Sequence, residues 1–180
     1  MTDPTVPEAS EVRVPEGVTI RPARPADAAS FLEMFRAVVA ERRWVRTDEV
    51  TRSVRDQRRA FRESWSPGRA ILVALDDDGR VIGNIWIARE EHPVNRHVAS
   101  IGMVVAEAWR GRGVGSALMV EGLRWAREQG VEKVALSVYP GNERAVALYR
   151  KFGFVEEGRL VRQSKKSYGY EDELVMARFL

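Results

Sequence analysis

The stretch Val104-Val105-Ala106-Glu107-Ala108-Trp109-Arg110-Gly111-Arg112-Gly113-Val114-Gly115-Ser116-Ala117-Leu118-Met119 constrains the fold more than any other part of this chain. In it an apolar strand passes through an Arg/Gly turn directly into an amphipathic helix. Closely spaced glycines let successive backbone N–H groups turn toward one point. The first helical turn adds unpaired N–H groups and the positive end of the helix dipole, while Arg110 and Arg112 add full charges. Such a segment is a cradle for an anion, and a pyrophosphate suits its size and charge.

Spacing discriminates among phosphate ligands. A P-loop requires Gly-x-x-x-x-Gly-Lys-Ser/Thr, and no lysine follows a glycine at that offset. The dinucleotide pattern Gly-x-Gly-x-x-Gly/Ala, started at Gly111 and Gly113, meets serine at Ser116, and Glu132 beside Lys133 is a weak ribose partner. Arg-x-x-Gly-x-Gly fits throughout at Arg110, Gly113 and Gly115. Downstream, Asn142, Ala145, Leu148, Tyr149, Gly153 and Phe154 spell Asn-x-x-Ala-x-x-Leu-Tyr-x-x-x-Gly-Phe, followed by Glu157-Gly158. The two motifs, in this order and with one helix and one strand between them, resemble the signature of the GCN5-related N-acetyltransferase (GNAT) superfamily.

That resemblance implies acetyl-CoA as co-substrate and no metal. It implies that Arg110, Gly111, Arg112, Gly113, Val114, Gly115 and Ser116 hold the pyrophosphate. Backbone groups of Met103, Val104 and Val105 would bind the pantetheine arm and polarise the thioester carbonyl, with the strand bulged there so that the arm enters between two splayed strands. Asn142 would lie near the arm, and Tyr149 would give a proton to the departing sulfur. The implied reaction is direct attack by a primary amine in a ternary complex, on a small-molecule or peptide acceptor. The alternative is a non-catalytic acyl-CoA sensor or interaction module on the same fold, which has no need of a proton donor. Family members often dimerise, so a homodimer is a further expectation.

Two of these residues have a second local reading. A tyrosine at position 149 also suits the core edge of an amphipathic helix, although a phenol of ordinary pKa near 10 stays protonated at neutral pH and can serve as an acid. Asn142 stands where a helix N-cap belongs, with Glu143 placed to favour the dipole. Both roles are compatible for the asparagine.

At 180 residues the chain supports one sizeable core, so residues 17–180 form a single domain behind a flexible tail at 1–16, rich in Pro, Glu, Ser and Thr. Neither a signal layout nor an apolar run of membrane-spanning length occurs, which suggests a cytoplasmic protein with no membrane partner. Cysteine is absent, which removes disulfides, thiolate metal sites and an acyl-cysteine intermediate. His92 and His97 do not match a catalytic zinc spacing. The net charge of +3 suits an anionic ligand. Arg52, Arg55, Arg59 and Arg62 would line one helix face, read as solvated and not as a nucleic-acid surface because no aromatic platform is interleaved with them.

Periodicity gives an α+β chain with a mixed seven-stranded sheet flanked by about four helices, the order expected of the GNAT-like acyl-CoA N-acyltransferase fold. Strands are expected at Gly17 to Arg21, Ala70 to Leu75, Val81 to Ala88, His97 to Val105, Lys133 to Val138, Phe154 to Gln163 and Tyr170 to Phe179. Helices are expected from Ala28 to Val39, through the Arg-rich segment with Val50, Val54, Phe61 and Trp65 buried, from Gly113 to Gln129, and from Asn142 to Phe152. The general base stays unassigned. Some family members carry a glutamate on the fourth strand, where this chain has Ala99, which leaves Glu33, Glu41, Glu90, Glu91, His97 or a water chain. Asp172 and Glu173 could attract an ammonium, but at a strand start they read as solvated.

Overall fold

Residues 12–180 are described by the computed structural model, so most of the tail expected at 1–16 lies outside the described residues. Within them, Val12 packs against the core and the Pro15 carbonyl accepts a hydrogen bond from Val18 N–H. The elements run β1 (Thr19–Pro22), α1 (Ala28–Ala40), α2 (Val54–Arg62), β2 (Arg69–Leu75), β3 (Val81–Arg89), β4 (Val98–Val105), α3 (Val114–Glu128), β5 (Lys133–Val138), α4 (Glu143–Lys151), β6 (Val155–Lys166) and β7 (Gly169–Phe179). The seven strands form one sheet in the order β1-β2-β3-β4-β5-β7-β6. Only β4 and β5 run parallel; every other neighbouring pair is antiparallel. The expected mixed sheet and four helices are therefore present.

Two apolar layers hold the sheet. On one face α1 and α2 bury Met34, Val38 and Phe61 against Val73 and Val81. On the other, α3 and α4 bury Leu118, Leu123, Val146 and Phe152 against Ile85, Ile87, Val134 and Leu136. Each such side chain contributes roughly 1.5–3 kcal/mol by leaving water. Gly122 lets α3 approach β3 closely, since a Cβ there would lie 2.8 Å from Ile85 Cδ1. The β2–β3 hairpin turns at Gly79, whose φ of +75° is open to glycine, with its N–H donating to the Asp76 carbonyl.

The Arg-rich second helix departs from its expected form. It starts only at Val54, after Ser53 caps it by accepting from Asp56 N–H, so Arg52 precedes the helix and donates to the Gln57 side chain. The stripe reduces to Arg55, Arg59 and Arg62, and Trp65 is 51% exposed while the polar Gln57 is buried. Among the described residues no helix is long and apolar enough to cross a membrane.

Candidate functional site

The parallel pairing of β4 with β5 covers only Val98–Ser100 against Lys133–Ala135. Beyond it the two strands part. β4 stays in continuous register with β3 as far as Val105 opposite Gly83, so the bulge expected near Met103 to Val105 is not there. Past Ser100 and Ala135, β4 keeps its pairing with β3 and β5 keeps its pairing with β7 through Val138, so the parting involves no bulge in β4. In an antiparallel ladder alternate backbone groups face the neighbouring strand, so half of the polar groups of Ile101–Val105 point into the gap. A cavity of about 1000 Å³ opens there, with Met103, Val104, Val105, Ser137 and Val138 on its walls.

The Arg/Gly turn closes one end of this cavity. Gly111 and Gly113 adopt φ of +75° and +89°, conformations that cost a residue with a Cβ about 1–2 kcal/mol. They aim the turn at the start of α3, whose first N–H groups lack helical partners. Gly115 leaves little room for a side chain, since a Cβ would stand 3.2 Å from Leu148 Cδ2. Arg110, Gly111, Gly113, Gly115 and Ser116 line the cavity. Val114 instead turns its side chain fully into the core, and Arg112 lies over the Trp109 ring at 5.4 Å, so neither side chain reaches the cavity wall.

Arg110 is committed to the protein itself. Its Nη1 and Nη2 donate to the two oxygens of Glu41 at 2.7 and 2.6 Å, and its Nε donates to the Val105 carbonyl at 2.9 Å. The guanidinium thus fixes the end of α1 to the end of β4. An anion at this turn would meet backbone N–H groups and the helix dipole, while the charge of Arg110 is engaged as a clamp. Glu41, one of the carboxylates considered as a base, is consumed by the same pair.

On the opposite side of the gap Asn142 caps α4, its Oδ1 accepting from Ala145 N–H at 3.2 Å, and also lines the cavity. Tyr149 lies about two turns of α4 beyond Asn142, 6% exposed, packed against Phe154 with ring centroids 5.8 Å apart. It too lines the cavity, and burial pushes its hydroxyl pKa up to about 12. Burial therefore keeps the phenol protonated and makes it a weaker acid than a free tyrosine.

The expected bases are dispersed. Glu33, Glu90, Glu91 and His97 are exposed and lie off the cavity wall. Ala99 is fully buried. Asp172 accepts from Arg159 Nε and from Arg162 N–H, at a bulge of β6 where Arg162 adopts a φ of +54°. These bonds hold its carboxyl below the usual range, the Arg162 N–H first. Glu173, expected to be solvated, is 2% exposed and faces the cavity. The register of β7 decides this, and register is not legible in a lone charged pair at a strand start.

A second cavity of about 410 Å³ adjoins the first, sharing Phe35, Thr47, Trp86, Met103 and Val104 with it. Its lining includes Asn84, 5% exposed, whose Oδ1 has no hydrogen-bond partner among the described residues. Trp86 stacks so closely over Gly102 that a Cβ at that glycine would overlap the indole. Among the described residues no group of three or more His, Asp or Glu side chains is placed to hold a metal ion.

Residues 34–154 match the model of the acetyltransferase (GNAT) family. The chain is 37% identical over 116 residues to an L-amino acid N-acetyltransferase of Escherichia coli, covering 62% of this chain and 69% of that one. It is 36% identical over 149 residues to a mycothiol acetyltransferase of Saccharomonospora viridis, 79% of this chain and 47% of the relative, and so spans about half the length of that protein. Among solved structures, a GNAT superfamily phosphinothricin acetyltransferase of Sinorhizobium meliloti in complex with AcCoA superposes with a TM-score of 0.80 at 26% identity, covering 91% of this chain and 89% of that one.

Proposed function

The chain belongs to the acetyltransferase (GNAT) family and is an N-acetyltransferase, and from that premise we propose that it moves an acetyl group from acetyl-CoA to the primary amine of a small molecule by direct attack in a ternary complex. The observation that carries this reading is the parting of β4 from β5 beneath the positive-φ turn of Gly111 and Gly113. The unpaired edge of β4 offers an extended amide arm the hydrogen bonds of a missing strand, and the α3 N-terminus offers the attached pyrophosphate its N–H groups. The AcCoA complex of the Sinorhizobium meliloti protein, of the same fold, supports this choice of donor.

In this reading the chain works by placement and electrostatics. Backbone groups of Met103, Val104 and Val105 orient the thioester, and residues Arg110 to Ser116 anchor the pyrophosphate through their backbone, with Arg110 holding the loop through Glu41. Asn142 combines its capping bond with a place on the cavity wall. Tyr149 supplies a hydroxyl to the departing sulfur. With its pKa near 12, full transfer to a thiolate of ordinary basicity near 8.5 would run about 5 kcal/mol uphill, so the phenol acts as a hydrogen-bond donor that stabilises the leaving thiolate. With no cysteine in the chain, the acetyl group has no thiol of the enzyme to rest on. Initial-rate patterns test this, since a ternary complex gives intersecting double-reciprocal lines and a covalent acetyl-enzyme gives parallel ones.

The size of the adjoining cavity, about 410 Å³, favours a compact acceptor. The names of the relatives point the same way, one an L-amino acid N-acetyltransferase and the other a mycothiol acetyltransferase. An amine panel of amino acids, polyamines, amino sugars and peptides, read by release of free thiol from acetyl-CoA, tests the acceptor class. Preference for a long peptide over every small amine would contradict it.

A further inference from the structure

Glu173 places a carboxylate where β7 buries its side chains. Its Oε1 accepts from Ser164 Oγ at 2.7 Å, while Arg46 Nη1 stands 3.9 Å from Oε2 on a side chain that is 64% exposed. One oxygen is therefore held firmly and the other only loosely. A buried carboxylate oxygen without a close partner is unfavourable unless something else engages it. Across the ladder, one position beyond the pair of Val138 with Leu174, stands Tyr139. It is 5% exposed, and its buried hydroxyl has no hydrogen-bond partner among the described residues. Both residues line the main cavity, beside Ser137 and Val138 where the strands part. Two undersatisfied polar groups on one wall call for a ligand rich in N–H donors, and an ammonium carries three.

We propose that Glu173 is the acid–base group of the acceptor side, taking a proton from the acceptor's ammonium while the Tyr139 hydroxyl holds the same nitrogen. This assignment rests on the acetyltransferase reading above. The ammonium loses one proton to the Glu173 carboxylate, and the freed lone pair attacks the thioester carbonyl carbon. A C–N bond forms and the C–S bond breaks. The nitrogen sheds its second surplus proton as the amide forms; of the two protons released, one ends on sulfur and the other passes from Glu173 to solvent. The charged and titratable groups around Glu173 are Arg46 from the α1–α2 segment, Tyr139 just after β5, Glu171 on the same face of β7 with Asp172 on the other, and Lys166 from β6. Lys166 is saturated by the carbonyls of Val45 and Arg46 and by Asp48. None of Glu33, Glu41, Glu90 and Glu91, the carboxylates considered as a base from sequence, occupies such a place.

Steady-state rates at saturating acetyl-CoA, followed across pH with an amine that the wild type acetylates, test the assignment. Glu173→Gln keeps the shape and the Ser164 bond, and is expected to lower kcat by about 10²–10⁴-fold at neutral pH with acetyl-CoA affinity unchanged in titration calorimetry. Its deficit shrinks as pH rises toward the amine's own pKa of about 10, because the free base no longer needs a carboxylate. A deficit constant with pH, or a kcat within about 3-fold of wild type, overturns the assignment. A wild-type protein that binds acetyl-CoA and acetylates no amine overturns the reading beneath it instead. Should Glu173→Gln not fold, Ser164→Ala frees the held carboxylate oxygen and is expected to lower kcat at least about 5-fold with acetyl-CoA affinity unchanged and with Ser164→Thr restoring it; an unchanged kcat overturns the proposal.

Discussion

The wall contributed by β4, α3 and α4 is made largely of main chain, whereas the facing wall, from the α1–α2 segment to β5 and β7, is made of side chains brought from distant positions. The first is carried by contiguous motifs, from Met103 to Ser116 and from Asn142 to Tyr149. The second depends on contacts such as Lys166 to the Val45 carbonyl, 121 residues apart. In the proposed reading, a wall built from backbone recognises what all donors of one class share, a phosphate and an extended amide arm. A group built from side chains is free to change with the acceptor. The clamp of Arg110 on Glu41 is where the two halves meet, 69 residues apart in the chain.

Breaking that clamp is expected to have the largest effect. Arg110→Ala strands Glu41, itself 20% exposed, and should lower unfolding free energy by about 3 kcal/mol in denaturant titration. Glu41→Gln in the same chain should restore a large part of it, and a double variant as unstable as the single one would show that the pair is not the cause. Gly113→Val strikes the backbone wall alone. It forces a β-branched residue to a φ of +89°, and is expected to weaken acetyl-CoA binding at least about 30-fold in calorimetry while leaving the acceptor wall intact.

Tyr149→Phe removes the hydroxyl between the two walls. Turnover should fall about 10- to 100-fold with acetyl-CoA affinity retained, the mark of an interaction made only in the transition state. The same residue sets an alkaline limit on stability. Its folded pKa of about 12 exceeds the unfolded value near 10, so above pH 10 the unfolded state sheds its proton first and stability falls with rising pH. Denaturant titrations near pH 8 and near pH 11.5 should show this loss in wild type and a smaller one in Tyr149→Phe. The smallest effect belongs to Asn84 in the adjoining cavity. Asn84→Leu should stabilise the protein by about 1 kcal/mol, since an unpartnered buried amide oxygen disappears, and should raise the acceptor's KM severalfold with acetyl-CoA affinity unmoved.

The contrast between the walls also explains what the sequence revealed. Strand and helix periods, the turn glycines and the Asn142 cap are local, and the elements follow them to within a few residues except at the second helix, where Arg52 lies outside and Trp65 is exposed. The placement of Met103 to Ser116 and Asn142 to Tyr149 along one cavity wall could be read for the same reason. The role of Arg110 could not, because its partner Glu41 sits at the end of another helix and nothing in the Arg-x-x-Gly-x-Gly spacing names it. Glu173 was hidden for a different reason. Of the neighbours Asp172 and Glu173, the register of β7 sends one out to Arg159 and the other into the cavity, and a bulge in β6 alters that register without a marker such as glycine at Arg162.

Thiol release from acetyl-CoA across a panel of amines tests the central claim most directly. Release that depends on a small primary amine, matches the acetylated product in amount and disappears in Gly113→Val together with acetyl-CoA binding is the expected result. Tight binding of acetyl-CoA with no thiol released for any amine would contradict it, and would mark the cavity as the pocket of a sensor.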